Sequence, residues 1–181
     1  ADLFANVSPF WHEARKGATA GAITVYNHPL GQSTDSAMAA LRAAGKKVIP
    51  TITDGTGKGY MAGVLADPAT RTAHVEQLLA LAQSRGYDGI DLDYEGFAWT
   101  DGQATWASTK PNWAAFVTEP AGRFHQQGLV VTAAVPISTY WVYDHATLGR
   151  VLDGVRVMSY DYAVNTPGAI APLDRAVHET R

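Results

Sequence analysis

Residues 88–95 read Asp88-Gly89-Ile90-Asp91-Leu92-Asp93-Tyr94-Glu95. Successive side chains of an extended strand take opposite faces, so Asp91, Asp93 and Glu95 share one side and Ile90, Leu92 and Tyr94 the other. Taken alone, the octapeptide describes a strand with one face in water. Its neighbours change that reading. Upstream, Asp67 supplies a capping side chain, Pro68 the first helical position, Val75, Leu78, Leu79 and Leu81 an apolar stripe, and Gly86 a stop. Downstream, residues 112–127 repeat the helical pattern up to Gly128, with Pro120 expected to kink or break it. A strand set between helices belongs to a parallel array whose outer face lies under them. Its apolar side packs there and its acidic side points inward.

Five further β-branched runs, residues 4–7, 22–26, 47–53, 130–135 and 154–160, bring the expected strands to six. Residues 35–44 add a helix, with Ala37, Met38 and Leu41 at helical spacing and Gly45 as a stop. Each strand lies beyond hairpin distance from the next, which predicts parallel pairing and right-handed crossovers. A nucleotide-binding sheet would carry a Gly-rich turn after its first strand, whereas that turn reads Ser8-Pro9-Phe10-Trp11. The expected fold is therefore an α/β, TIM-type (β/α) barrel, with long segments 96–111 and 137–143 on the face where such barrels build sites.

Eight strand-helix units take about 200 residues at the least, and the chain has 181. A single barrel domain over residues 1–181 is expected, incomplete at its C-terminal side, with about six of eight units. Unpaired strand edges invite pairing with another chain. The expectation is a fragment, a shortened chain or an assembly, self-association through the barrel edges included. The start, Ala1-Asp2-Leu3-Phe4, is expected to reflect a removed signal, trimming or proteolysis.

With 46% hydrophobic and 17% charged residues the chain can bury a core, and the lack of Cys excludes disulfide scaffolds and Cys-built metal sites. Fourteen basic against 17 acidic residues, without a Lys/Arg cluster, argue against nucleic acid as a partner. No apolar run nears the roughly 20 residues of a membrane span, so no membrane partner is expected.

At a rise of about 3.3 Å per residue, Asp91, Asp93 and Glu95 would stand about 6–7 Å apart along the strand. Carboxylates facing a barrel interior repel one another and lose solvation, so at least one is expected to stay protonated near neutral pH. Such a carboxyl can serve as a general acid. Glu95, longest and nearest the C-terminal mouth, is the expected donor; Asp93 would share its proton and Asp91 would orient Asp93. Asp88, of opposite parity, reads as a turn or helix-packing contact. Metal ligands must converge to about 2.0–2.2 Å from one ion, whereas rungs of a single strand diverge. His12, His28, His74, His125, His145 and His178 show no paired ligand spacing. No metal and no cofactor are expected, and no Gly-x-Ser-x-Gly elbow supports a serine hydrolase.

Asp88 to Glu95 carries all four acids of a D-x-x-D-x-D-x-E pattern, and Met158-Ser159-Tyr160-Asp161 matches M-x-Y-D at the end of the sixth expected strand. On both counts the sequence resembles glycoside hydrolase family 18, the chitinase family, over essentially its whole length. The resemblance implies a TIM-type barrel that cleaves β-linked N-acetylglucosamine polymers with retention, the substrate's own acetamido group acting as nucleophile. It implies Glu95 as acid and later base, Asp93 as the group orienting the acetamido function, Asp91 as its support, Tyr160 as a donor to the acetamido oxygen, and Asp161 as a sugar contact. Met158, Trp141 and Tyr26 are the further substrate-binding candidates, Trp141 as a stacking ring.

Thr51-Ile52-Thr53-Asp54-Gly55 departs from the family's S-x-G-G stretch, while Pro167-Gly168-Ala169-Ile170-Ala171-Pro172 resembles the P-G-x-x-A-P run of its bacterial cell-wall and spore-type members. Peptidoglycan therefore stands beside chitin as an expected substrate. The expected partner is an oligosaccharide or polysaccharide, and the expected location is secreted or at the cell wall. The alternatives are a non-catalytic carbohydrate-binding relative and an inactive barrel fragment.

Overall fold

The computed structural model describes residues 4–28, 34–137, 141–161, 163 and 165–174. In chain order the elements are β1 (Asn6–Val7), β2 (Phe10–Lys16), β3 (Ile23–Asn27), α1 (Thr34–Ala43), β4 (Lys47–Val48), β5 (Thr51–Asp54), α2 (Tyr60–Ala66), α3 (Pro68–Arg85), β6 (Gly89–Asp93), α4 (Gly96–Trp99), a 3₁₀ turn (Gln103–Thr105), α5 (Trp106–His125), β7 (Val130–Pro136), α6 (His145–Val151) and β8 (Gly154–Met158). One sheet runs β3-β2-β5-β6-β7-β8, and β1 pairs with β4 in a second.

The first strand does not end at Val7. Pro9 and Pro50 lack N–H groups and interrupt the ladder, yet the Val7 carbonyl accepts from Ile49 N–H and the Pro9 carbonyl from Thr51 N–H, each at 2.9 Å. β1 with β2, and β4 with β5, are thus two long neighbouring strands broken at a proline. The stretch Ser8-Pro9-Phe10-Trp11, expected as a turn, lies at such a break. The real turn follows Lys16, where Gly17 N–H donates to the Ala22 carbonyl at 2.8 Å and Gly21 takes φ 75°. β3 consequently returns antiparallel to β2, correcting the expectation of parallel pairing throughout. β2, β5, β6, β7 and β8 are parallel.

The helix α3 forms where its signals predict it. The Asp67 carboxylate accepts from Thr70 N–H at 2.9 Å, and Gly86 closes the last turn at φ 65°, ψ 35°. The next long helix differs from expectation: α5 starts at Trp106 and carries Pro111 and Pro120 without ending. Packing decides this, because Trp113, Phe116, Val117, Ala121 and Phe124 are buried along the same helix. The expected loop 96–111 therefore holds α4, the 3₁₀ turn and the start of α5. The expected loop 137–143 lies partly outside the described residues.

Ile52, Leu92 and Ala133 stand in register across β5, β6 and β7 and join the buried core with Val75 and Leu78 of α3 and Phe116 of α5. Tyr94 continues that apolar side, packing its ring on His74 and Phe116. Thr51, Asp91 and Thr132 form the adjacent row, on the opposite face by strand alternation. β6 and β7 approach closely at Gly89, where a Cβ would stand 2.0 Å from the Val130 carbonyl oxygen. Asp88 bridges as expected, accepting from Arg42 at 2.6 Å and Val48 N–H at 2.7 Å. The fold is an incomplete TIM-type barrel: β3 and β8 end the sheet and are not joined to each other among the described residues.

Candidate active site

The buried side chains of Asp91 and Asp93 occupy the sheet face away from the helices, as strand alternation requires. Asp91 accepts from Thr51 Oγ1 at 2.9 Å and Thr132 Oγ1 at 2.5 Å, and pairs with the Arg156 guanidinium. Arg156 also reaches Ser8 Oγ at 2.9 Å. The hydrogen bonds of Asp91 thus tie β6 to β5, β7 and β8. None of these bonds reaches Asp93.

Asp93 is treated very differently by its surroundings. Only 7% of it is exposed, and its buried Oδ1 has no hydrogen-bond partner. Burial, followed by the charges of Glu95 and Asp91, pushes its carboxyl up to about 7. The sequence anticipates a retained proton and assigns it first to Glu95; the tertiary structure creates that environment at Asp93.

Glu95 departs from the expected ladder. β6 ends at Asp93, and Glu95 has helical backbone angles, φ −92° and ψ −12°, at the N-cap of α4. The chain turns there because Phe97 and Ala98 enter the core and Trp106 Nε1 donates to the Phe97 carbonyl at 2.9 Å. The Tyr143 hydroxyl donates to the Tyr94 carbonyl at 2.5 Å, fixing the peptide between the two acids. Glu95 stays half-buried, and Trp99 Nε1 donates to its Oε2 at 3.2 Å.

Another carboxyl lies at the end of the neighbouring strand. Asp54, at the end of β5, accepts from Thr56 N–H at 2.9 Å and Thr56 Oγ1 at 2.7 Å, and a Cβ on Gly96 would lie 3.3 Å from its Oδ2. Burial raises its carboxyl, opposed by the Thr56 hydrogen bonds and reinforced by Asp101 and Glu13. Sequence reading notes Asp54 only as a departure from a motif. Arg156 is missed as well, although its place on β8 two residues before Met158 puts both on one face.

Tyr160 follows β8 and is 51% exposed. Because β6, β7 and β8 are parallel, it stands at the same end of the sheet as the acid pair, and burial, then the charges of Asp93, Glu95 and Asp161, raise its hydroxyl. Asp161 takes φ 57°, in the left-handed region that non-glycine residues seldom occupy. Met158 is half-buried at the end of β8, in register with Pro136. Trp141, half-buried, packs on Trp106 with ring centroids 5.1 Å apart.

Tyr26 is not brought to the acids. It lies on β3 in a row Tyr26-Glu13-Thr53-Asp93, three strand spacings or about 14 Å from Asp93. The Arg15 guanidinium covers its ring at 3.6 Å. Among the described residues no three His, Asp or Glu side chains are grouped to hold a metal ion, and no helix is long and apolar enough to cross a membrane.

The sequence model of Glycosyl hydrolases family 18 matches residues 4–180. The chain belongs to glycosyl hydrolase family 18. Within this family the chain is similar to YdhD of Bacillus subtilis (strain 168), which carries the name of a sporulation-specific glycosylase, at 30% identity over 142 residues. That match covers 71% of the chain and 32% of YdhD. The solved structure of Bacillus subtilis YdhD superposes with a TM-score of 0.80 at 22% identity, over 99% of this chain and 59% of that one. A chitinase from Chromobacterium violaceum ATCC 12472 gives 0.79 at 20% identity, over 97% and 55%. The family 18 chain described here therefore spans less than two thirds of these relatives' own length.

Proposed function

We propose that the chain is the catalytic part of a retaining glycoside hydrolase acting on β-linked N-acetylglucosamine-containing glycans. The observation that carries this reading is the buried Asp93 carboxyl beside Glu95, its Oδ1 without a partner among the described residues, with Tyr160 at the same end of the sheet. In the reaction Glu95 gives its proton to the glycosidic oxygen while the acetamido carbonyl oxygen bonds to the anomeric carbon and the leaving sugar departs. Asp93, as the carboxylate, accepts a hydrogen bond from the acetamido N–H and stabilises the cationic oxazolinium ring. Tyr160 donates to the acetamido oxygen, and Asp161 holds the sugar alongside. Glu95, now a carboxylate, then takes a proton from water, whose oxygen attacks the anomeric carbon and restores the acetamido group.

The family match and the curated relatives named as chitinases support a chitin-type glycan, and the run Pro167-Gly168-Ala169-Ile170-Ala171-Pro172 keeps peptidoglycan as the second substrate. Such polymers lie outside the cell or in its wall, and we assign the protein there. The test is hydrolysis of a chitooligosaccharide and of peptidoglycan by the protein and by Glu95→Gln. Turnover of either glycan that falls at least about a hundredfold in the variant supports the reading. Binding without turnover, or equal turnover by the two proteins, overturns it.

A further inference from the structure

Trp99 is set apart from the other tryptophans. Trp113 is fully buried, Trp11 is 6% exposed, and Trp106 and Trp141 pack on each other, whereas Trp99 is 62% exposed. Its helix is nevertheless well anchored. Phe97 and Ala98 are buried, Trp106 holds the Phe97 carbonyl, and the Thr100 and Asp101 N–H groups both donate to the Gly96 carbonyl. The Asp101 carboxylate in turn accepts from Gly59 N–H at 2.6 Å. α4 thus presents Trp99 one helical turn beyond Glu95, with the indole N–H donating to Oε2 at 3.2 Å.

We propose that Trp99 is a positioning residue for Glu95, its indole N–H holding the carboxyl and stabilising the anion left when the proton passes to the leaving oxygen. This rests on the role of Glu95 proposed above. An indole is chemically suited to that role because it donates only and does not titrate, so its bond persists in both protonation states and strengthens when the acceptor becomes charged. The other groups facing Glu95 all titrate. They are Asp93 on β6, Tyr143 before α6 and Tyr160 beyond β8, while Asp54 at the end of β5 adjoins Gly96. As the Glu95 O–H bond breaks, negative charge develops on a carboxylate already close to Asp93, and Trp99 supplies a fixed positive dipole at that point.

Trp99→Phe keeps an aromatic ring on α4 and removes the donor. With a chitooligosaccharide, kcat is expected to fall about tenfold with KM within about twofold, and the alkaline limb of kcat to move up by about one pH unit. In the ¹⁵N-labelled protein the Trp99 indole N–H resonance is expected to follow a titration that disappears in Glu95→Gln. A rise in KM alone, or unchanged kcat and pH profile, overturns the proposal by making the ring a contact surface only. An indole resonance indifferent to Glu95→Gln also overturns it. Each of those results leaves the reading of Glu95 intact where Glu95→Gln is inactive, while turnover by Glu95→Gln equal to that of the unmodified protein ends both.

Discussion

Replacing Asp93 by Asn tests the buried-carboxyl environment directly, because it removes a titrating group and nearly preserves its shape. Asp93 moves from 3.8 to about 7 on folding, and at about 1.36 kcal/mol per pH unit this corresponds to about 4 kcal/mol. The sign follows from proton binding. Below pH 3.8 both folded and unfolded chains hold the proton and the group contributes no pH dependence. Between 3.8 and about 7 the folded chain holds more protons than the unfolded one, so stability falls as pH rises. Above about 7 the loss is complete. Asn lacks this titration, so the stability of Asp93→Asn minus that of the unmodified protein should grow by about 4 kcal/mol from pH 4 to 8 and then level. Urea denaturation of both proteins at half-unit pH steps measures the difference, and other titrating groups largely cancel in it. A difference that stays flat, or that shrinks with rising pH, would show that Asp93 is solvated and refute the burial argument.

Three further outcomes follow from the same structure. His74 is buried against Tyr94 and Phe116, and desolvation holds it down at about 4, below its ordinary 6.5. Its contribution of about 3 kcal/mol is present above pH 6.5 and lost as pH falls through 4, so His74→Phe should flatten that part of the acid limb in urea titrations. Arg156→Met leaves Asp91 buried without its guanidinium. Because the Arg156 side chain is 45% exposed, the expected loss is about 1–3 kcal/mol in denaturant unfolding, partly recovered in the double variant with Asp91→Asn. Gly89→Ala drives a Cβ into the Val130 carbonyl, and its melting temperature should fall by an amount matching at least about 2 kcal/mol.

Local chemistry made much of the protein legible. Asp67, Pro68 and Gly86 delimit α3 because capping and left-handed termination act within one turn of the chain. Alternation placed Asp91 and Asp93 opposite Leu92 and Tyr94 because a strand has no other periodicity. The failures share a physical origin in contacts distant along the chain. Pro9 reads as a turn until Thr51 arrives to bond its carbonyl, and misplacing that strand end hid the hairpin to β3. Pro120 reads as a helix breaker and Pro111 as a loop end until the burial of Trp113, Phe116 and Phe124 outweighs two missing hydrogen bonds.

The candidate site divides along the same line. Residue order alone determined that acids would share one face of a central strand, and the resemblance of Met158-Ser159-Tyr160-Asp161 to a family motif singled out the end of β8. Tertiary packing decided what each acid does. Asp91 meets two threonines and an arginine from three other strands, Asp93 meets none of them and becomes the hard-to-ionise carboxyl, and Glu95 leaves the sheet because Phe97 is drawn into the core. A carboxyl's proton affinity depends on neighbours and dielectric within a few ångströms, and those are brought there by chain segments that sequence order leaves far apart.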